Sequence, residues 1–198
     1  MTKFRNIVFD LGGVVFARDP QKFSREFRDF FSFIYEPQMP HFWEEYDRGV
    51  LSLDEVKEIL CERNGCERTL CDEYIAEAID MQEEIIPTKA LIERLKAAGY
   101  RLYVLSNMSR EFIDFIRCLP VYANFDGEVV SCEEHVVKPE SEIFRLLLDR
   151  YTLDPAECIF IDDRIDNIEA AEREGICGFH FDRKDPQASC ELLRAMLL

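Results

Sequence analysis

Four apolar runs, each ending in a polar cluster, constrain this chain more than any other feature. They are NIVFDLGGVVF with Asp10, VLSNMS with Ser106 and Asn107, VVKPE with Lys138, and CIFIDDRIDN with Asp162 and Asp163. An apolar run that stops at reactive groups is how a chain places chemistry at the carboxyl end of a buried parallel strand. Together the four supply a carboxylate, a hydroxyl, an amide, a cation and a carboxylate pair. That set suits chemistry on a phosphate with a hard divalent metal.

The segments between them alternate helix and strand. A first strand spans about Asn6 to Phe9, Gly12 and Gly13 allow a tight turn, and Val14 to Phe16 read as a short extended piece. From Pro20 to Ile85 the pattern is helical. Phe23, Phe27, Phe30, Phe31 and Ile34 share one side at helical spacing, Ser52 with Glu55 forms a capping box, and a further helix spans roughly Leu70 to Glu84. These aromatic residues read as packing within a small helical bundle; Trp43 is open to either packing or a site role. After Pro87, helices and strands alternate to the end, with strands at about 100–105, 127–131, 158–161 and 176–181. Such alternation predicts an α/β fold, a doubly wound parallel sheet with helices on both faces. The polar clusters should then converge along its carboxyl edge.

Composition excludes several classes. At 198 residues the chain can bury one full core with a modest insertion. No apolar run approaches the roughly 18 residues of a membrane helix, and MTKFRNIVFD lacks the pattern of an export signal. The formal charge of −16, from 40 acidic and 24 basic residues, repels nucleic acid and anionic membrane. A phosphate site must therefore be locally cationic. Eight cysteines in 198 residues fall below the roughly 8–10% of a disulfide scaffold. Cys61, Cys66 and Cys71 lack the paired spacing of a zinc site. A cytoplasmic protein with reduced thiols is the expectation. His41, His135 and His180 are scattered and form no catalytic set.

FDLGGVV, LSNMS, VKPE and IDDRIDN, in that order, resemble the haloacid dehalogenase superfamily. The likeness is to the branch that holds sugar-phosphate phosphatases and the phosphatase domain of epoxide hydrolases. It implies a Rossmann-like core of residues 1–17 and 86–198, with a small helical cap of residues 18–85 inserted after the first strand. It also implies a Mg²⁺-dependent phosphatase acting on a small phosphorylated metabolite, such as a sugar phosphate, through an aspartyl-phosphate. Asp10 would be the nucleophile and a metal ligand, Ser106 and Asn107 phosphate ligands, and Lys138 the charge balancer that also touches substrate. Asp163, with Asp162 beside it, would hold the metal together with the backbone of Gly12. Asn167, from its own position, reads either as support for the acid pair or as a helix-start contact. The alternatives are a metal-independent haloacid dehalogenase, or an interaction protein that keeps the fold without the chemistry.

Physical chemistry supports the same roles. A carboxylate attacks phosphorus well only when the phosphoryl charge is neutralised and the approach is in line. Two carboxylates 4 Å apart repel by about 4 kcal/mol at an effective dielectric near 20, so three of them call for a lysine and a divalent ion. One departure stands out. The family commonly carries an aspartate two residues after the nucleophile as general acid, and here that residue is Gly12. A general acid contributes about 10²–10⁴-fold. Either the substrate has a good leaving group, or Asp19 or a cap residue donates the proton, or the activity is vestigial.

Overall fold

The structure, a computed structural model, describes residues 3–35 and 39–198. The ranges 1–17 and 18–85, and the helical reading of residues 20–85, take in positions 1–2 and 36–38, which lie outside the described residues. The core is a five-stranded parallel sheet of β1 (Asn6–Phe9), β4 (Arg101–Ser106), β5 (Gly127–Val130), β6 (Cys158–Asp162) and β7 (Cys177–His180). Their order is β5-β4-β1-β6-β7, so the first strand is central. In register, Phe9 lies opposite Val104 on one side and Ile161 on the other. Asp10 and Asp162 therefore leave the sheet from adjacent strands at the same edge.

Strand alternation divides the apolar residues between two faces. Ile7, Phe9, Leu102, Val104, Ile159 and Ile161 join one buried cluster, and Val8, Tyr103, Leu105 and Phe160 join the other. Helices α5 (Ile86–Ala97), α6 (Arg110–Ile116) and α10 (Pro186–Leu197) cover the first face, and α8 (Ser141–Tyr151) and α9 (Ile165–Arg173) the second. A short α7 (Ser131–Glu134) follows β5 directly. No helix among the described residues is long and apolar enough to cross a membrane.

Between β1 and α5 the structure departs from the sequence reading in three places. Val14 to Phe16 do not simply extend. The amides of Val15 and Phe16 both turn back to the Leu11 carbonyl at 2.9 Å, and only Phe16–Ala17 form a strand, β2. The predicted helix of residues 70–84 is α4 (Arg68–Asp80), after which Glu83–Glu84 form β3, antiparallel to β2. The ribbon pairs Phe16 with Glu84 and Ala17 with Glu83, so the two ends of the inserted segment meet beside β1. The phenylalanine-rich run is interrupted. A 3₁₀ turn at Pro20–Lys22 is capped by Asp19, and α1 (Arg25–Phe30) starts afresh because the Ser24 hydroxyl accepts the Phe27 N–H at 3.0 Å.

Helices α2 (His41–Asp47) and α3 (Leu53–Asn64) complete the segment, α3 with the reciprocal Ser52–Glu55 capping box. Phe23, Phe27, Phe30, Phe31, Phe33 and Trp43 are buried. Trp43 meets the Phe33 ring at 5.1 Å and Phe112 of α6 at 6.3 Å, which resolves it as packing and extends the aromatic cluster onto α6.

Candidate active site

Asp10, Ser106 and Asp162 stand at the carboxyl ends of three neighbouring strands, and the Lys138 ammonium lies among them. Its Nζ donates to Asp10 Oδ1 at 2.8 Å, to Asp162 Oδ2 at 2.6 Å and to the Leu105 carbonyl at 2.9 Å. Lysine is rarely buried unless paired; here two acids pair it and only 5% of the residue is exposed. Burial opposes its charge, yet Asp10 and Asp162 outweigh that and hold the ammonium above its ordinary pKa.

Lys138 is set in place by Asn107. The carboxamide oxygen accepts the Lys138 N–H at 2.7 Å, and its amide donates to the Lys138 carbonyl at 2.9 Å. This two-way clamp ties the end of β4 to the loop carrying the lysine. The Asn107 side chain is therefore engaged with backbone. Ser106 differs: its hydroxyl is buried and has no hydrogen-bond partner among the described residues. An orphaned buried hydroxyl at a site edge is costly unless something occupies the space beside it.

The three carboxylates divide by environment. Asp162 is fully buried and well supplied with donors. Besides Lys138, it accepts the Arg164 N–H at 2.8 Å and the Asn167 amide at 3.1 and 3.0 Å. Asn167, at the start of α9, thus bonds one acid of the pair. Asp163 is half-buried and pairs with the exposed Arg183 at 3.3 Å. Burial and the neighbouring Asp162 raise its pKa, against Arg183, Lys138 and Arg164. Burial also pushes Asp10 up to about 7, with Asp162 and Asp163 adding and Lys138 opposing.

One oxygen from each of Asp10, Asp162 and Asp163 lies within 4.8 Å of the others. Three carboxylates facing one buried ammonium leave an excess of negative charge, and hard oxygen donors at this spacing fit a divalent cation such as Mg²⁺ or Ca²⁺. Gly12, two residues past Asp10, is exposed in the adjoining loop. A Cβ there would meet nothing within 4 Å beyond its chain neighbours, and the left-handed residue is Gly13, at φ +78°. Position 12 is thus glycine without a backbone reason.

An acid that sequence reasoning missed is coupled electrostatically to Asp10. Asp47, the last residue of α2, is half-buried, and burial pushes its carboxyl up to about 7. The Ser109 amide opposes the shift, and the charges of Asp10 and Glu44 add to it while Arg18 subtracts. In the string HFWEEYDRG nothing distinguishes this acid from its neighbours; only the packing of α2 brings it here.

Comparison with known proteins agrees with the geometry. The family model for haloacid dehalogenase-like hydrolases matches residues 4–175. The chain is 26% identical over 200 residues to the sesquiterpene phosphatase astK of Aspergillus oryzae, spanning 99% of this chain and 98% of that one. It is 27% identical over 184 residues to the D-ribitol-5-phosphate phosphatase of Bacteroides thetaiotaomicron, spanning 86% and 88%. In fold it is similar to a HAD-family enzyme of B. thetaiotaomicron crystallised with magnesium and inorganic phosphate. The TM-score is 0.73 at 23% identity, over 91% of this chain and 95% of that one. The ordered motifs, the parallel sheet and the matched span lead to one assignment: this chain belongs to the haloacid dehalogenase-like hydrolases.

Proposed function

We propose that this protein is a Mg²⁺-dependent phosphatase that hydrolyses a small phosphomonoester through phospho-Asp10. The observation that carries the reading is the buried Lys138 bridging Asp10 and Asp162, with Asp163 alongside. A metal-free dehalogenase would leave that third acid, which has no bond to Lys138, to the solvent-exposed Arg183 at 3.3 Å. The full-length relatives that hydrolyse phosphates support the same class.

Each group has a part in this reading. Asp10 attacks phosphorus, and Lys138 favours the ionised nucleophile and offsets charge on the phosphoryl oxygens. The orphaned Ser106 hydroxyl donates to a non-bridging oxygen, with Asn107 offering its main chain and holding Lys138. Asp10, Asp163 and the Gly12 carbonyl hold the cation, and Asp162 completes the acid cluster from behind. When bound, Mg²⁺ neutralises the phosphate and aligns it for in-line attack. Residues 18–85 form a cap over the site that excludes water and selects substrate. Its buried aromatics are core, so selection falls to polar residues and main chain at its inner edge.

A phosphorylated sugar or polyol, and an isoprenoid phosphate, are the substrate classes to assay first. The test is release of inorganic phosphate with and without Mg²⁺, for the wild type and Asp10→Asn. Turnover that needs Mg²⁺ and is lost in the variant supports the reading. Turnover retained by Asp10→Asn, or indifferent to chelation, overturns it.

A further inference from the structure

We propose that Asp47 is the proton donor to the leaving group, in the place that Gly12 leaves without an acid. This rests on the phosphatase reading above and names the residue that completes it.

The end of α2 is pinned to the site. The Asp47 carbonyl accepts a hydrogen bond from the Ser131 hydroxyl, and the oxygen of that hydroxyl accepts the Met108 N–H at 2.9 Å. One residue earlier, the Tyr46 hydroxyl donates to Glu111 at 2.6 Å. Asp47 is thereby tied to the segment that directly follows Ser106 and Asn107. The Ser109 amide and the Asp10 charge both act on its carboxyl, in opposite directions. It also sits at the negative end of its helix, which favours the protonated form. Burial holds its pKa at about 7, where an acid is well matched to giving and taking a proton near neutrality. Asp19, by contrast, is occupied as a cap, accepting the Gln21 N–H at 2.9 Å.

The steps balance. An Asp10 oxygen bonds to phosphorus while the ester P–O bond breaks, and the departing oxygen takes the Asp47 proton and leaves as the alcohol. The Asp47 carboxylate then takes a proton from water as that water's oxygen bonds to the phosphorus of phospho-Asp10. The bond to Asp10 breaks, inorganic phosphate is released, and both carboxyl groups return to their starting forms.

The experiment compares kcat/KM for an alkyl phosphate, such as a polyol phosphate, with kcat/KM for p-nitrophenyl phosphate. That parameter reports only the steps through loss of the leaving group, and the aryl oxygen needs little help to depart. Asp47→Asn should lower the alkyl-to-aryl ratio about 10²-fold. It should also remove the fall in alkyl kcat/KM that the wild type shows as pH rises above about 7. Adding Gly12→Asp to that variant should restore much of the ratio, because the space around an added Cβ at position 12 is open. A ratio unmoved by Asp47→Asn, with aryl turnover showing an intact site, overturns the assignment while leaving the phosphatase reading standing. A wild type that releases phosphate from neither ester overturns the phosphatase reading, and this assignment with it.

Discussion

Lys138 Nζ and Asp162 Oδ2 lie 2.6 Å apart, and the two side chains are 2% and 0% exposed. Taking one charge from such a pair strands the other in low dielectric, which costs about 3–5 kcal/mol. Lys138→Met should therefore abolish turnover and also lower the melting temperature of the metal-free protein. Mg²⁺ should recover part of the stability and none of the activity, because the cation relieves the acids without replacing the ammonium beside Asp10. Melting curves with and without Mg²⁺ measure this; an unchanged metal-free melting point would mean the pair is not closed in solution.

Asp162 and Asp163 are adjacent in sequence but should respond differently to loss of charge. Asp162 is surrounded by donors from Lys138, Arg164 and Asn167, whereas Asp163, among the described residues, is ion-paired only with the exposed Arg183. Asp163→Asn should raise the Mg²⁺ concentration for half-maximal activity by at least about tenfold with little change in melting temperature, as expected for a lost hard ligand. Asp162→Asn should instead lower the melting temperature by several degrees. Equal Mg²⁺ titrations for Asp163→Asn and wild type would remove Asp163 from the metal.

The sheet and most of the candidate site were legible because each reactive residue ends an apolar run. Asp10 follows β1 directly, and Ser106 and Asp162 are the last residues of β4 and β6, so a strand prediction is also a position prediction. Lys138 was legible only through the order of the motifs, since an isolated lysine in VVKPE carries no sign of burial. The β2–β3 ribbon was hidden because two-residue strands have no periodicity to read. Asp47 was hidden for a stronger reason. Its environment comes from Ser109, Ser131 and Asp10, all distant in sequence and brought together only when α2 packs against α6 and α7.

The raised pKa of Asp47 makes a stability prediction. A carboxyl whose folded pKa is about 7, against about 3.9 unfolded, holds its proton more tightly when folded. Stability is thus present at low pH and falls as pH rises through that interval. Carboxylates with depressed pKa, such as Glu133 and Glu140, have already given their contribution above pH 5. Between pH 5 and 8 the metal-free protein should therefore lose stability as pH rises. Asp47→Asn should flatten that slope and stabilise the protein at pH 8 by about 2 kcal/mol, allowing for the partial exposure of the side chain. Asp10 contributes in the same direction until Mg²⁺ binds. Denaturant titrations of both proteins in EDTA across this range decide it; parallel slopes would place the Asp47 carboxyl in a more solvated setting.

The two glycines after Asp10 give the last prediction, since they look alike in sequence and differ in structure. At Gly13, φ is +78° and an added Cβ would lie 3.0 Å from Asp163 Oδ2 and 3.2 Å from its carboxyl carbon. Alanine there meets both backbone strain, of order 1–2 kcal/mol, and a push against an acid that the proposed metal site requires. At Gly12 the added atom meets nothing within 4 Å, and the backbone is not left-handed. Gly12→Ala should keep the wild-type melting temperature to within about a degree, and with more of the unfolded chain's freedom removed it could gain slightly. Gly13→Ala should lose several degrees and weaken Mg²⁺ activation as Asp163 is displaced. Melting temperatures and Mg²⁺ titrations of the two variants, side by side, test the loop directly. If both are equally tolerated, Asp163 has freedom to move and is not held against Gly13; if both are equally damaging, the open space at position 12 is filled in solution.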